Sequence, residues 1–291
     1  MTHPFTTLIS VEQLQALMAS GQPLMVFDCS FDLTNPAAGE QQFAQAHIPG
    51  AVYAHLDRDL SDKSGAADVA SGGRHPLPSR EKFAAWLRSV GFSSPHQAVV
   101  VDRQGANYCG RLWWMLKWCG HEAVAVLDGG LQAWQAAGGA VANGPDNNTA
   151  RPTGDFALST ARARLVSAQQ LFEQLGHADQ AVIDARATPR FRGEVEPLDP
   201  VAGHIPGALN RPFVLNLADN GHFKSPTQLR EEFDRLLAGR DPASVVHHCG
   251  SGVSAIPNVL GMEIAGLGRP ALFAGSWSEW CNTPGLPIAQ G

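Results

Sequence analysis

The chain is written twice. His47-Ile48-Pro49-Gly50-Ala51 returns as His204-Ile205-Pro206-Gly207-Ala208, and other pieces recur around it in the same order. Ile9-Ser10-Val11-Glu12-Gln13-Leu14 matches Val166-Ser167-Ala168-Gln169-Gln170-Leu171, in each case a cap-like serine leading into a helix. Met25-Val26-Phe27-Asp28 matches Ala181-Val182-Ile183-Asp184, an apolar strand ending in aspartate. Leu127-Asp128-Gly129-Gly130 with Trp134 matches Phe273-Ala274-Gly275-Ser276 with Trp280. The spacing between copies shrinks toward the end, so the first copy carries extra residues between Ala51 and Val99-Val100-Val101. Asp62, Arg74 and His75 lie in that segment. A repeat this long suits a tandem of whole domains rather than a solenoid.

Short, uninterrupted apolar strands alternate with helical patterns in both halves. Val99-Val100-Val101 precedes a helix expected over 108–119, and Val245-Val246 precedes one over 255–265. Strands without polar alternation are covered on both faces, which predicts an α/β fold: two tandem domains, each a small, mainly parallel sheet flanked by helices. Val141-Ala142-Asn143-Gly144-Pro145-Asp146-Asn147-Asn148 is polar and turn-rich. It sets the expected division: a first domain over 1–142, a linker over 143–160 and a second domain over 161–291.

Composition removes several function classes. The formal charge is -6 and there is no Lys/Arg run, which argues against nucleic acid as a partner. No apolar stretch reaches membrane-spanning length. Met1-Thr2-His3-Pro4-Phe5 lacks the basic-then-apolar pattern of a secretory signal. Five cysteines, at 29, 109, 119, 249 and 281, show no CxxC spacing, so neither a disulfide framework nor a zinc site is expected. A reducing, cytoplasmic location follows, with no metal and no cofactor.

One of those cysteines stands apart. Ser244-Val245-Val246-His247-His248 reads as a buried strand, and Cys249 stands at its C-terminal end. Gly250-Ser251-Gly252-Val253-Ser254 is too glycine-rich for helix. Ile256, Val259, Leu260 and Ile264 then recur at helical spacing, with Pro257 in the first turn and Gly266 as the stop. Strand, tight loop and helix place the cysteine in the crevice where open α/β sheets carry their chemistry. A loop of inward N–H groups at a helix start is an anion cradle; it favours a thiolate and would stabilise the outer sulfur of a persulfide. Without its flanks Cys249 would be a small buried apolar residue. A metal site at His247-His248-Cys249 is disfavoured, because adjacent strand residues point to opposite faces. A phosphatase needs an arginine six positions beyond the nucleophile, where this chain has Ala255.

These motifs resemble the tandem-domain rhodanese-like sulfurtransferases, most closely those of the 3-mercaptopyruvate type. The resemblance rests on Gly203-His204-Ile205-Pro206-Gly207-Ala208, the Cys249 loop and Ala274-Gly275-Ser276-Trp277-Ser278-Glu279-Trp280, and it covers nearly the whole chain. It implies two domains packed face to face, with the reactive cysteine only in the second and the first as a wall of the site. Arg103 falls where the first domain's cysteine would be, and Cys109 is expected to be structural. Thiosulfate, a dianion, is served in the family by basic residues after the cysteine. Gly250 and Ser251 are neutral here, which matches a singly charged keto-acid donor. Two positions depart from the family pattern: Ser254 replaces threonine, and Ile256-Pro257 stands where relatives often carry a second cysteine. By the same resemblance Arg186 and Arg74 bind substrate together with Gly250, Gly252, Val253 and Ser254, with Arg190 or Arg192 able to help. Ser251, His75 and Asp62 would form a proton relay beside Cys249, whereas His47 and His204, present in both halves, read as structural. The implied partners are a small-molecule sulfur donor and, as acceptor, a thiol or small redox protein. Two alternatives stay open: a thiosulfate sulfurtransferase, and a non-enzymatic persulfide carrier.

Overall fold

Serine at the start of each repeat does what its position suggests. Ser10 and Ser167 each accept from the backbone N–H three residues on, and Gln13 and Gln170 reach back to the cap N–H, closing a capping box at the head of both copies. In the computed structural model, residues 3–145, 151–177 and 180–291 are described.

The chain forms two compact units. The first holds strands β1 (Leu8–Ile9), β2 (Leu24–Asp28), β3 (Val52–Tyr53), β4 (Gln97–Val101) and β5 (Val124–Leu127), with helices α1 (Val11–Ala19), α2 (Ala38–Gln45), α3 (Arg80–Ser89), α4 (Cys109–Trp118) and α5 (Gly130–Ala136). The second holds β6 (Ala181–Asp184), β7 (Leu209–Asn210), β8 (Val245–His248) and β9 (Ala271–Leu272), with α6 (Ala168–Glu173), α7 (Thr188–Phe191), α8 (Pro226–Leu237), α9 (Ile256–Ile264) and α10 (Ser276–Trp280). Strand order is β1-β5-β4-β2-β3 in one sheet and β7-β6-β8-β9 in the other. Every pairing is parallel. The two orders are the same order. A parallel bridge from Leu165 to Leu272 is what remains of the first sheet's edge strand β1 in the second unit. Each sheet is covered on both faces; in the second unit Val182, Val246 and Trp277 pack on one side, and Ile183, Val245 and Phe233 on the other.

The units depart from a simple cut of the chain. Residues 69–77, expected in the first domain, belong to the second unit, and 219–222 belong to the first. Of the 143–160 linker, 146–150 lie outside the described residues. The remainder up to 162 packs on the first unit, with Phe156 only 2% exposed and its ring 5.5 Å from that of Phe92. Polar composition pointed to a linker; one buried phenylalanine makes this stretch a strap.

The repeated histidines are structural in both units. His47 stacks on Phe43 and bonds its carbonyl through Nδ1 at 2.8 Å, and His204 does the same with Phe191, also at 2.8 Å.

Candidate active site

Strand β8 delivers Cys249 to the C-terminal edge of the second sheet, and α10 fixes its backbone there. Cys249 N–H donates to Ser276 Oγ at 3.1 Å; Trp277 and Ser278 N–H donate to the carbonyls of Cys249 and Gly250 at 3.0 and 2.9 Å. Ser276 holds its hydroxyl in place from a φ of 56° and donates onward to Phe273 O at 2.9 Å. Sequence reading passed over Ser276. The available signal was its match to Gly130, which takes a φ of 62°.

Of the two loop glycines only Gly252 is required for its dihedral angle. Its φ is 72°, and a Cβ would stand 2.0 Å from the Ala274 carbonyl oxygen. Among the described residues, the N–H groups of Gly250, Ser251, Val253, Ser254 and Ala255 donate to no acceptor of the protein. The corresponding loop of the first unit shows what such amides seek. There the buried carboxylate of Asp102 accepts from Gln104, Ala106, Tyr108 and Cys109 N–H at 2.9, 3.1, 2.8 and 2.9 Å. Asp102 occupies the position of Cys249 itself. Asp28 pairs with Val101 as Asp184 does with His248, and Leu131 N–H donates to the Asp102 carbonyl as Trp277 N–H does to that of Cys249. The register puts Asp102, not the expected Arg103, where the cysteine stands. Among the described residues, no carboxylate accepts from the corresponding amides of the second unit.

Burial decides the fate of the arginines. Arg186, expected to bind substrate, is 4% exposed. Its guanidinium grips Asp184 through Nε and Nη2 at 3.0 and 2.7 Å, donates to Gly203 O at 2.6 Å and to Glu196 at 3.3 Å, and lies 4.7 Å over the Trp277 ring. Burial opposes ionisation of Asp184, yet the carboxyl is held below its ordinary value by His248, whose Nε2 lies 3.6 Å away, and by that guanidinium. The first unit repeats the device with a different residue: Arg103, from the loop, pairs with Asp28 and bonds Ser30 Oγ and Ala46 O. One guanidinium per unit is spent on the strand-end aspartate. Arg186 is that one here.

Arg190, from α7, and Arg74 stand at the loop instead. A Cβ on Gly250 would lie 3.3 Å from Arg74 Nη2 and 3.5 Å from Arg190 Nη1. Among the described residues, Arg190 Nη1 has no protein acceptor; its Nε and Nη2 are taken by Glu196 at 3.2 and 2.6 Å, with Asp199 at 3.4 Å. Asp199 also accepts from Arg74 at 2.5 Å. Arg192 is an exposed residue beside Glu194.

The 69–77 segment is held to α10 through its backbone. Arg74 N–H donates to Ser278 Oγ at 2.9 Å and Gly72 N–H to Glu279 at 3.1 Å. Gly73 takes a φ of 83°, with room for no Cβ, which would come within 2.4 Å of Gly275 O. This anchoring presents His75, whose Nδ1 bonds Ser251 Oγ at 2.8 Å, both residues being buried. Asp62 belongs to the first unit, where hydrogen bonds from Lys82 at 2.6 Å and from Ser64 hold its carboxyl down at about 2. Val253 is buried and Ser254 half-buried.

The other cysteines sit in different surroundings. Burial pushes Cys29 and Cys109 well up and Cys119 to about 11, and it also raises Cys281. Among the described residues no group of three or more His, Cys, Asp or Glu side chains is arranged to hold a metal. His247 is buried against Met262 Sδ at 3.2 Å, and burial pushes it down to about 3. No described helix is long and apolar enough to cross a membrane.

Comparison with known proteins agrees with this geometry. The family model for the rhodanese-like domain matches residues 10–137 and again 167–283. A Pseudomonas aeruginosa protein named "Probable 3-mercaptopyruvate sulfurtransferase" is 45% identical over 98% of both chains. The thiosulfate sulfurtransferase of Gallus gallus is 31% identical, covering 94% of this chain and 92% of its own. The solved structure of 3-mercaptopyruvate sulfurtransferase from Leishmania major superposes with a TM-score of 0.83 at 29% identity, over 98% of this chain and 77% of that one. With a matching domain in each half and relatives aligned from end to end, the chain belongs to the rhodanese-like family.

Proposed function

We propose that this protein moves sulfur from 3-mercaptopyruvate to a thiol acceptor through a persulfide on Cys249. The observation that carries the reading is that the N–H groups of Gly250, Ser251, Val253, Ser254 and Ala255 donate to no acceptor among the described residues, where the first unit fills the corresponding amides with Asp102. The Cys249 thiolate attacks the donor sulfur, the carbon–sulfur bond breaks, and its electron pair leaves as the enolate of pyruvate. A proton delivered to that carbon gives pyruvate. The outer sulfur, once deprotonated, is an anion matched to the amides. An acceptor thiolate, free or on a small redox protein, then takes the outer sulfur and restores the Cys249 thiolate.

Arg190 and Arg74 are the grips for the donor carboxylate, and Arg190 Nη1 is the donor best placed for it. Ser251 and His75 move the proton, their 2.8 Å contact being the supporting geometry. Asp62 enters as third member on the family resemblance, and its low pKa keeps it ionised. His75→Asn is expected to lower kcat about 10²–10³-fold with little change in donor KM, and Asp62→Asn to lower it less. Unchanged kcat in the His75 variant would remove the relay.

The overall assignment is tested by kcat/KM for 3-mercaptopyruvate and thiosulfate at one acceptor concentration. The keto acid is expected to lead by at least about tenfold. A thiosulfate lead would replace this reading with a thiosulfate sulfurtransferase, and a single turnover without a second would leave a persulfide carrier.

A further inference from the structure

The arginines beside Gly250 are almost completely neutralised. Arg74, Arg186 and Arg190 face Asp184, Glu196 and Asp199, three guanidinium groups against three carboxylates, and the Glu279 carboxylate adds a fourth at Gly72. These contacts do not all bear on the loop. Asp184 is committed to the buried Arg186. Glu196 divides itself between Arg186 and Arg190, and also accepts from Leu198 and Asp199 N–H at 3.0 and 3.2 Å. Asp199 alone bridges the two arginines that border Gly250, with one oxygen 2.5 Å from Arg74 and the other 3.4 Å from Arg190. Its side chain is 3% exposed, so solvent screens it little. Yet Arg74 itself is 28% exposed, and a cleft of about 490 Å³ lined by Arg74, Leu198, Asp199, Pro200 and Ser278 opens over it.

We propose that Asp199 is a specificity-determining residue: by cancelling charge on Arg74 and Arg190 beside Gly250, it sets the loop to accept a singly charged sulfur donor and to disfavour a dianion. The inference rests on the sulfur-donor reading above and deepens it. The work of bringing an anion to a site scales with the anion's charge. A potential that favours a keto-acid monoanion by some factor favours thiosulfate by about that factor squared. Holding the local potential near zero withholds the advantage that the dianion would otherwise have.

The experiment is Asp199→Asn, assayed with both donors at fixed acceptor and at two ionic strengths. Replacing the carboxylate by an uncharged amide of the same size should raise kcat/KM for thiosulfate about tenfold and for 3-mercaptopyruvate about threefold. The thiosulfate gain should shrink in about 0.5 M salt. Asp199→Glu keeps the charge on a longer arm and should retain the wild-type donor ratio, which guards against a loop that is merely loosened. A parallel fall with both donors, an unchanged ratio in Asp199→Asn, or the same altered ratio in Asp199→Glu would each overturn the proposal. A wild-type preference for thiosulfate would defeat the functional reading instead, and the shift of the ratio on removing the charge would still be read on its own.

Discussion

Cys249→Ser is expected to lose sulfur transfer by a factor of about 10⁴ or more while the protein stays folded. The hydroxyl cannot form a persulfide, and its oxygen is a far poorer nucleophile at neutral pH. No substitute lies close at hand. Cys29 and Cys109 are buried in the first unit with thiols pushed well up, and Cys281 sits at the end of α10, also raised by burial. Folding should hardly notice the change: the Cys249 backbone is held by Ser276, Trp277 and α10, and those bonds do not involve the side chain. The measurement is steady-state turnover beside an unfolding curve, with mass spectrometry of the donor-treated protein. The wild type should gain one sulfur atom on the peptide bearing Cys249, and the variant none. Substantial residual turnover in a folded Cys249→Ser protein would take the chemistry elsewhere.

Arg186→Ala is the second large effect, and it falls on stability. The substitution leaves the Asp184 carboxylate, which has no exposed surface, without its bidentate partner, strips Gly203 O of a 2.6 Å bond and uncovers the Trp277 ring. Breaking a buried pair by removing one member costs about 3–5 kcal/mol, because the remaining charge has no solvent to return to. Urea unfolding should show a loss of that order. Arg186→Lys should recover part of it, since an ammonium can reach Asp184 but cannot fork to Gly203 O as well. An unchanged unfolding midpoint with a donor KM raised about tenfold would reinstate Arg186 as a substrate ligand.

That arginine marks the boundary of what the sequence discloses. The repeat, the parallel strands, the two capping boxes and the loop after β8 were all legible, because each is local or recurs in register. Ser251 and His75 were legible only through family resemblance. The reason is distance along the chain: a contact between positions 75 and 251 leaves no periodic trace. The choice between Arg186 and Arg190 was lost for a similar reason. Both lie just after β6, and what separates them is that Asp184 already claims the nearer one. A clue was available. Both halves keep the strand-end aspartate, but only the second has arginine two positions later; the first has Ser30 there and Arg103 in its loop. A buried acid repeated in both copies must find a base in both, and counting the candidates would have committed Arg186 before substrate was considered. Asp199 and Glu196 gave no signal, since in sequence they are ordinary acids in a proline-flanked turn. Asp199 takes its meaning from Arg74, which reaches it from another part of the chain, and Glu196 from Arg186 and Arg190.

The carboxylate of Asp102 has a consequence for how a fold of this kind retires a reactive loop. Withdrawing a catalytic group usually strands the donors once arranged around it, and stranded buried donors are costly. Here an aspartate at the cysteine's own position supplies the negative charge from within, so the first loop keeps its shape without a thiolate. Silence, in that loop, is a bound state.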